Sequence, residues 1–237
     1  AQIAEAVIKK AVCKLKGVDK INRSDIAVGT VFKYQPPAFL HFKTPLMQQV
    51  FDTVCEADYV VNDNGGITMP EQIKTLLVRM GQSAYQMGIG GLHSTESCQG
   101  IVCGPDEELI DIDGTSFYPY WILKCGLFPP NMGDDFQKVY KNFYDLRVAA
   151  KKRGDKSIAQ TYKIILNGAY GKLGSWFSVL YAPNLMIQVT LTGQLALLMM
   201  IESMELAGIP VVSANTDGIV TRCHKDQRAT LDAVVAE

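Results

Sequence analysis

Hydrophobic and polar positions follow two periods along this chain, and the changes of period mark out its elements. Apolar runs at 26–32 and 39–42 flank Pro36-Pro37 and predict short strands, and 44–54 has the spacing of a helix. Tyr59-Val60-Val61 and Ile67-Thr68-Met69 bracket Asp63-Asn64-Gly65, a hairpin signal because such a turn needs residues tolerant of positive φ. Pro70 stands where a helix would begin, and Ile73, Leu76, Leu77 and Met80 recur at helical spacing. A short apolar run, Leu109, Ile110 and Ile112, ends in Asp111-Ile112-Asp113 and then Gly114. The two-residue period of a strand puts both carboxylates on one face.

Beyond Pro129-Pro130, two long helical patterns at 134–153 and 155–173 are separated by Gly154, which predicts an antiparallel helical hairpin. Residues 184–201 carry no charge and are long enough for a membrane span. Gln188, Thr190, Thr192, Gly193 and Gln194 lower their hydrophobicity, and Pro183 and Gly208 frame a helix ending in Glu202 and Glu205. A buried helix packed on a sheet is expected there. The β-rich runs 209–213 and 219–221 then flank Asn215-Thr216-Asp217-Gly218, a hairpin whose turn carries a carboxylate.

With 237 residues, 48% of them hydrophobic, the chain can build one large domain or two small ones, which excludes disorder. A net charge of -1 gives no global electrostatic argument for nucleic acid, so any such argument must be local. One bias exists: between 138 and 156 the chain carries Lys138, Lys141, Arg147, Lys151, Lys152, Arg153 and Lys156 against Asp145 and Asp155. The six cysteines, Cys13, Cys55, Cys98, Cys103, Cys125 and Cys223, show neither CxxC pairs nor zinc spacing, and they read as reduced thiols of a cytosolic protein. The start at Ala1 and an end in helical character at Glu237 read as a fragment.

Several motifs carry chemistry. The glycine-rich 88–94 segment, with Gly90-Gly91, reads first as a plain loop, and His93 as a structural histidine without triad partners. Arg147 and Lys151 are four residues apart on the first long helix, and Lys163, Asn167 and Tyr170 share a face of the second. If the faces meet, they form a basic wall with an aromatic floor. Two carboxylates at strand ends, Asp113 and Asp217, with cations on a helical hairpin between them in sequence, suit phosphoryl or nucleotidyl transfer by two metals. A rival is a metal-dependent glycosyltransferase, with Asp111-Ile112-Asp113 as a DxD motif. A third reading is a non-catalytic, nucleic-acid-binding remnant.

The same residues resemble a known family. Asp113-x-x-Ser116-x-Tyr118-Pro119 resembles the first palm motif of family B DNA polymerases, with a bacteriophage-like wording. Lys163-x-x-x-Asn167-x-x-Tyr170-Gly171 resembles their fingers motif, and Asn215-Thr216-Asp217 their hairpin motif, in the same order. The resemblance implies an α/β chain of the α+β type, an antiparallel palm sheet packed on helices with a protruding two-helix fingers hairpin. It divides the chain into an N-terminal α+β segment (1–105), first palm part (106–130), fingers (131–174) and second palm part (175–237), with the thumb missing.

It further implies that Asp113 and Asp217, with the Gly114 carbonyl, hold two Mg2+ ions, which Mn2+ can replace. Arg147, Lys151 and Lys163 would hold the triphosphate, with Ser116 also at the nucleotide. Tyr118 would exclude a 2′-hydroxyl, and Asn167 and Tyr170 would line the nascent base pair. Gly171, with Gly90 and Gly91, would contact DNA. Implied partners are primer-template DNA, dNTPs and replication accessory proteins, in the cytoplasm (of a host cell if viral) and without a membrane. The sequence departs from the pattern at Asn215, Gly218, Gly168 and Gly88, and it shows no proofreading carboxylates before Gly90.

Overall fold

A computed structural model of the chain describes residues 2–96 and 100–236; Cys98 lies outside the described residues. Its helices are α1 (Gln2–Lys16), α2 (Pro45–Glu56), α3 (Glu71–Lys74), α4 (Phe117–Lys124), α5 (Asp134–Lys152), α6 (Lys156–Leu173), α7 (Pro183–Leu206) and α8 (Arg228–Ala236). Its strands are β1 (Val31–Phe32), β2 (Tyr59–Val61), β3 (Ile67–Thr68), β4 (Leu77–Met80), β5 (Ser83–Met87), β6 (Leu92–Ser94), β7 (Glu107–Asp113), β8 (Val211–Asn215) and β9 (Gly218–His224). The architecture is mixed α+β, with antiparallel sheets and helices. Two compact units share it: Ala1–Phe32, Tyr59–Thr68 and Ser116–Val189 form the first, and Lys33–Asp58, Met69–Thr115 and Thr190–Glu237 the second.

The first unit is mainly helical. Ala4, Ile8 and Val12 recur every fourth residue on α1 and are buried. Ile8 and Val12 join a core with Phe136, Tyr140, Leu166 and Ala169 of α5 and α6. The two long helices form the expected antiparallel hairpin, because the Tyr140 hydroxyl donates to the Leu166 carbonyl at 2.8 Å and Phe143 stacks on Tyr162 at 5.8 Å. Gly154 takes the left-handed conformation (φ 75°) that reverses the chain, and the Asp155 carboxylate accepts from the Ile158 N–H at 3.0 Å to cap α6.

A three-stranded sheet, β1-β2-β3, completes this unit. The predicted hairpin pairs Val61 with Ile67. Gly65 (φ 76°) lies in its turn, and the Tyr181 hydroxyl donates to its carbonyl at 2.7 Å. A methyl group on Gly65 would lie 2.1 Å from the Trp176 ring, which is why glycine stands there.

The second unit contains one antiparallel sheet in the order β4-β5-β6-β8-β9-β7. Its longest ladder runs from the Glu107–His224 pair to Asp113–Gly218. Ile219, Thr221 and Cys223 are buried on one face of β9. The charge-free segment forms α7, and 61% of its apolar window is buried inside the fold. Near its end Glu202, 2% exposed, accepts from the Lys43 and Thr44 N–H groups (2.9 and 2.8 Å) and the Thr44 hydroxyl (2.6 Å), fixing the start of α2.

Two sequence expectations are corrected. Residues 39–42 form no strand and 26–32 only the short β1: the chain turns at Gly29 (φ 81°) just before it, and Pro36-Pro37 lacks the N–H donors to carry the ladder on beyond it. The helix begun at Pro70 stops at Lys74. Pairing of Val78 with Tyr85 and Met80 with Ser83 turns 77–80 into β4, where Val78 and Met80 are buried and Leu77 and Arg79 exposed. Leu77 matched the helical period by coincidence.

Candidate functional site

In the second unit, β7 carries Asp111 and Asp113 exposed on one face, as its period requires, while the alternate Ile110 and Ile112 are partly buried. Asp113 stands opposite Gly218 at the end of the ladder, and the next step is a hydrogen bond from the Gly114 N–H to the Asp217 carbonyl at 2.8 Å. Asp113 and Asp217 therefore sit on adjacent strand ends, one ladder step apart. A methyl group on Gly218 would lie 3.9 Å from Oδ1 of both Asp111 and Asp113, an ordinary contact distance, so both carboxylates lie beside the Gly218 end of the ladder.

The turn that carries Asp217 is strained. Thr216 has φ 57°, which costs a β-branched residue roughly 1–2 kcal/mol. It is held there by its N–H, which donates to the Leu92 carbonyl at 2.8 Å, while the Asp217 N–H donates to the Asn215 carbonyl at 2.7 Å. Ser116, three residues past Asp113, is the other non-glycine residue at positive φ among the described residues (56°), and it precedes α4. Its buried hydroxyl has no hydrogen-bond partner among the described residues. Strained residues thus follow one candidate metal ligand and precede the other.

In the first unit, Pro119 occupies the first turn of α4, where its missing N–H is harmless, and so aims Tyr118 from the start of the helix. Tyr118 stacks on Tyr170 of α6 with ring centroids 4.2 Å apart and planes 9° from parallel. This brings together two residues expected at one nucleotide. Lys163 and Asn167, on the same helix as Tyr170, are exposed, and Gly171 has open space where a side chain would project.

Arg147 corrects the expected basic wall. It is 5% exposed, within the α5–α6 hairpin, whereas Lys151 one turn on is exposed. Among the described residues its Nε and Nη1 have no hydrogen-bond partner, and burial lowers its pKa from the ordinary guanidinium value, opposed by Tyr144. A guanidinium remains charged near neutral pH despite such a shift, so Arg147 is a cation with two of its nitrogens buried and unpartnered among the described residues.

The glycine pair lies in a tight hairpin turn between β5 and β6, closed by the Gly88 N–H to the Gly91 carbonyl at 3.1 Å. Gln194 of α7 clamps that turn, accepting from the Gly88 N–H at 2.9 Å and donating to its carbonyl at 3.0 Å. Neither Gln194 nor the strain at Ser116 and Thr216 was anticipated from the sequence. A threonine at a hairpin tip was the one available signal. His93 is exposed on β6 opposite Asn215.

Among the described residues no three His, Cys, Asp or Glu side chains converge on one point. A magnesium ion does not require three, since it is commonly held by one or two carboxylates, waters and substrate phosphates. Asp113 and Asp217, brought one ladder step apart by the Gly114–Asp217 hydrogen bond, are two carboxylates of that kind. Comparison with known proteins finds no family model and no curated protein that matches this chain.

Proposed function

We propose that the chain is the palm and fingers portion of a DNA-directed DNA polymerase, adding dNTPs to a primer 3′-hydroxyl on a DNA template. The observation that carries this reading is the carboxylate turn: Asp113 and Asp217 on strand ends tied by the Gly114–Asp217 hydrogen bond, beside a strained Thr216. The order of the motifs and the Tyr118–Tyr170 stack support it.

In this reading Asp113, Asp217 and the Gly114 carbonyl hold two Mg2+ ions, replaceable by Mn2+. When bound, the ions activate the attacking hydroxyl and neutralise the departing pyrophosphate. The exposed Lys151 and Lys163 hold the triphosphate, with Ser116 hydrogen bonding to the nucleotide, and the buried Arg147 adds only background positive potential. The ring of Tyr118 leaves no room for a 2′-hydroxyl, and Asn167, Tyr170 and Gly171 line the templating base pair. Gly90 and Gly91 sit beside the template strand. Primer-template DNA is the principal partner, with replication accessory proteins, in the cytoplasm.

Expressed in its full-length context, Asp113→Asn or Asp217→Asn abolishes Mg2+-dependent primer extension, whereas Asn215→Ala retains most of it. Equal loss from all three refutes the assignment. A second reading, a glycosyltransferase, draws on the shared open face of Asp111 and Asp113. There Asp111→Asn alone removes activity; in a polymerase it leaves extension largely intact.

A further inference from the structure

The net charge of -1 conceals a segregation. The first unit holds sixteen Lys and Arg against eight Asp and Glu, a charge of +8; the second holds seven against sixteen, a charge of -9. Within the first unit half of the eight acidic groups are engaged. Glu5 pairs with Lys172, Asp135 with Lys138 and Lys16, and Asp145 with Lys141, while Asp155 caps α6. The excess positive charge is left on α1 and, most densely, at the tip of the α5–α6 hairpin.

There Lys152, Arg153 and Lys156 crowd around Gly154, all exposed, and among the described residues none has an ion-pair partner. Lys152 in the last turn of α5 suits the helix dipole, so it has a structural explanation. Lys156 does not: it is the first residue of α6, where positive charge opposes the dipole. Below the tip lies Arg147, buried and, among the described residues, with Nε and Nη1 unpartnered, which adds positive potential.

We propose that Lys152, Arg153 and Lys156 form a contact for the phosphate backbone of a nucleic-acid strand. The proposal rests on the polymerase reading for its choice of polyanion and adds a strand-holding surface to it. The cations lie on both sides of the turn, an arrangement that suits successive charges of a strand more than a single phosphate group.

The test uses the whole chain with a fluorescein-labelled 20-nucleotide single strand and the corresponding duplex, without nucleotide or metal, between 50 and 200 mM KCl. Anisotropy is compared for the wild type, Lys152→Gln/Arg153→Gln/Lys156→Gln, and a control with equal charge change on α1, Lys9→Gln/Lys10→Gln/Lys14→Gln. The tip variant is expected to lose about tenfold in affinity at 50 mM. Its salt slope should flatten by about 2 on the single strand or nearly 3 on the duplex, and the control should change much less. The two probes decide which form of strand is held.

Equal losses in both variants, or none in the tip variant, overturn the proposal. So does sedimentation showing that the tip variant abolishes self-association and leaves DNA binding unchanged, since the partner would then be the acidic unit of a second copy. Primer extension is read separately. Extension by a wild type whose binding ignores the tip refutes this contact alone, while tip-dependent binding by a full-length protein that cannot extend refutes the polymerase reading alone.

Discussion

Thr216 and Arg147 both hold a state that an isolated segment would avoid, and each gives a direct test. Thr216→Asn places a residue that tolerates left-handed geometry at φ 57° and should raise unfolding free energy by about 1 kcal/mol in thermal denaturation. Arg147→Met keeps the volume and removes an unpaired buried charge, so stability should hold or rise by about 1–3 kcal/mol in urea titration while nucleotide affinity falls. A stability loss would give Arg147 a structural role instead. Motif spacing had singled out Asp113 over Asp111, but both carboxylates share the open face beside Gly218. The burial of Arg147 was illegible, because helical spacing shows which residues share a face and not which face a neighbouring helix covers.

Elements with local signals were the most readable. The limits of α5 and α6 fall within a residue of those expected because Gly154 and Asp155 determine them by backbone geometry and capping. Asp155→Ala should accordingly cost about 1 kcal/mol in denaturant titration, with the hairpin tip fraying first in hydrogen exchange. α1 was also written in its buried Ala4, Ile8 and Val12, yet no motif drew the eye to it. β4 was misread because helical and strand periods share positions over so few residues, and pairing with β5 decided between them.

At the scale of the molecule, neither the two units nor their opposite charges could be read along the chain, since each unit gathers three separate segments. Gly65 shows how tightly one gathering is made. Gly65→Ala forces a methyl group into the Trp176 ring at a positive φ and should destabilise the protein by about 3 kcal/mol or more in urea, beyond an ordinary surface change. The residues that meet at this turn are 116 apart, between Gly65 and Tyr181. On a ribosome adding 5–20 residues per second, the β2–β3 turn therefore emerges about 6 to 23 s before the aromatic side chains that cover it. Throughout that interval the nascent hairpin lacks its cover, and this corner of the first unit cannot close until Trp176 and Tyr181 have emerged.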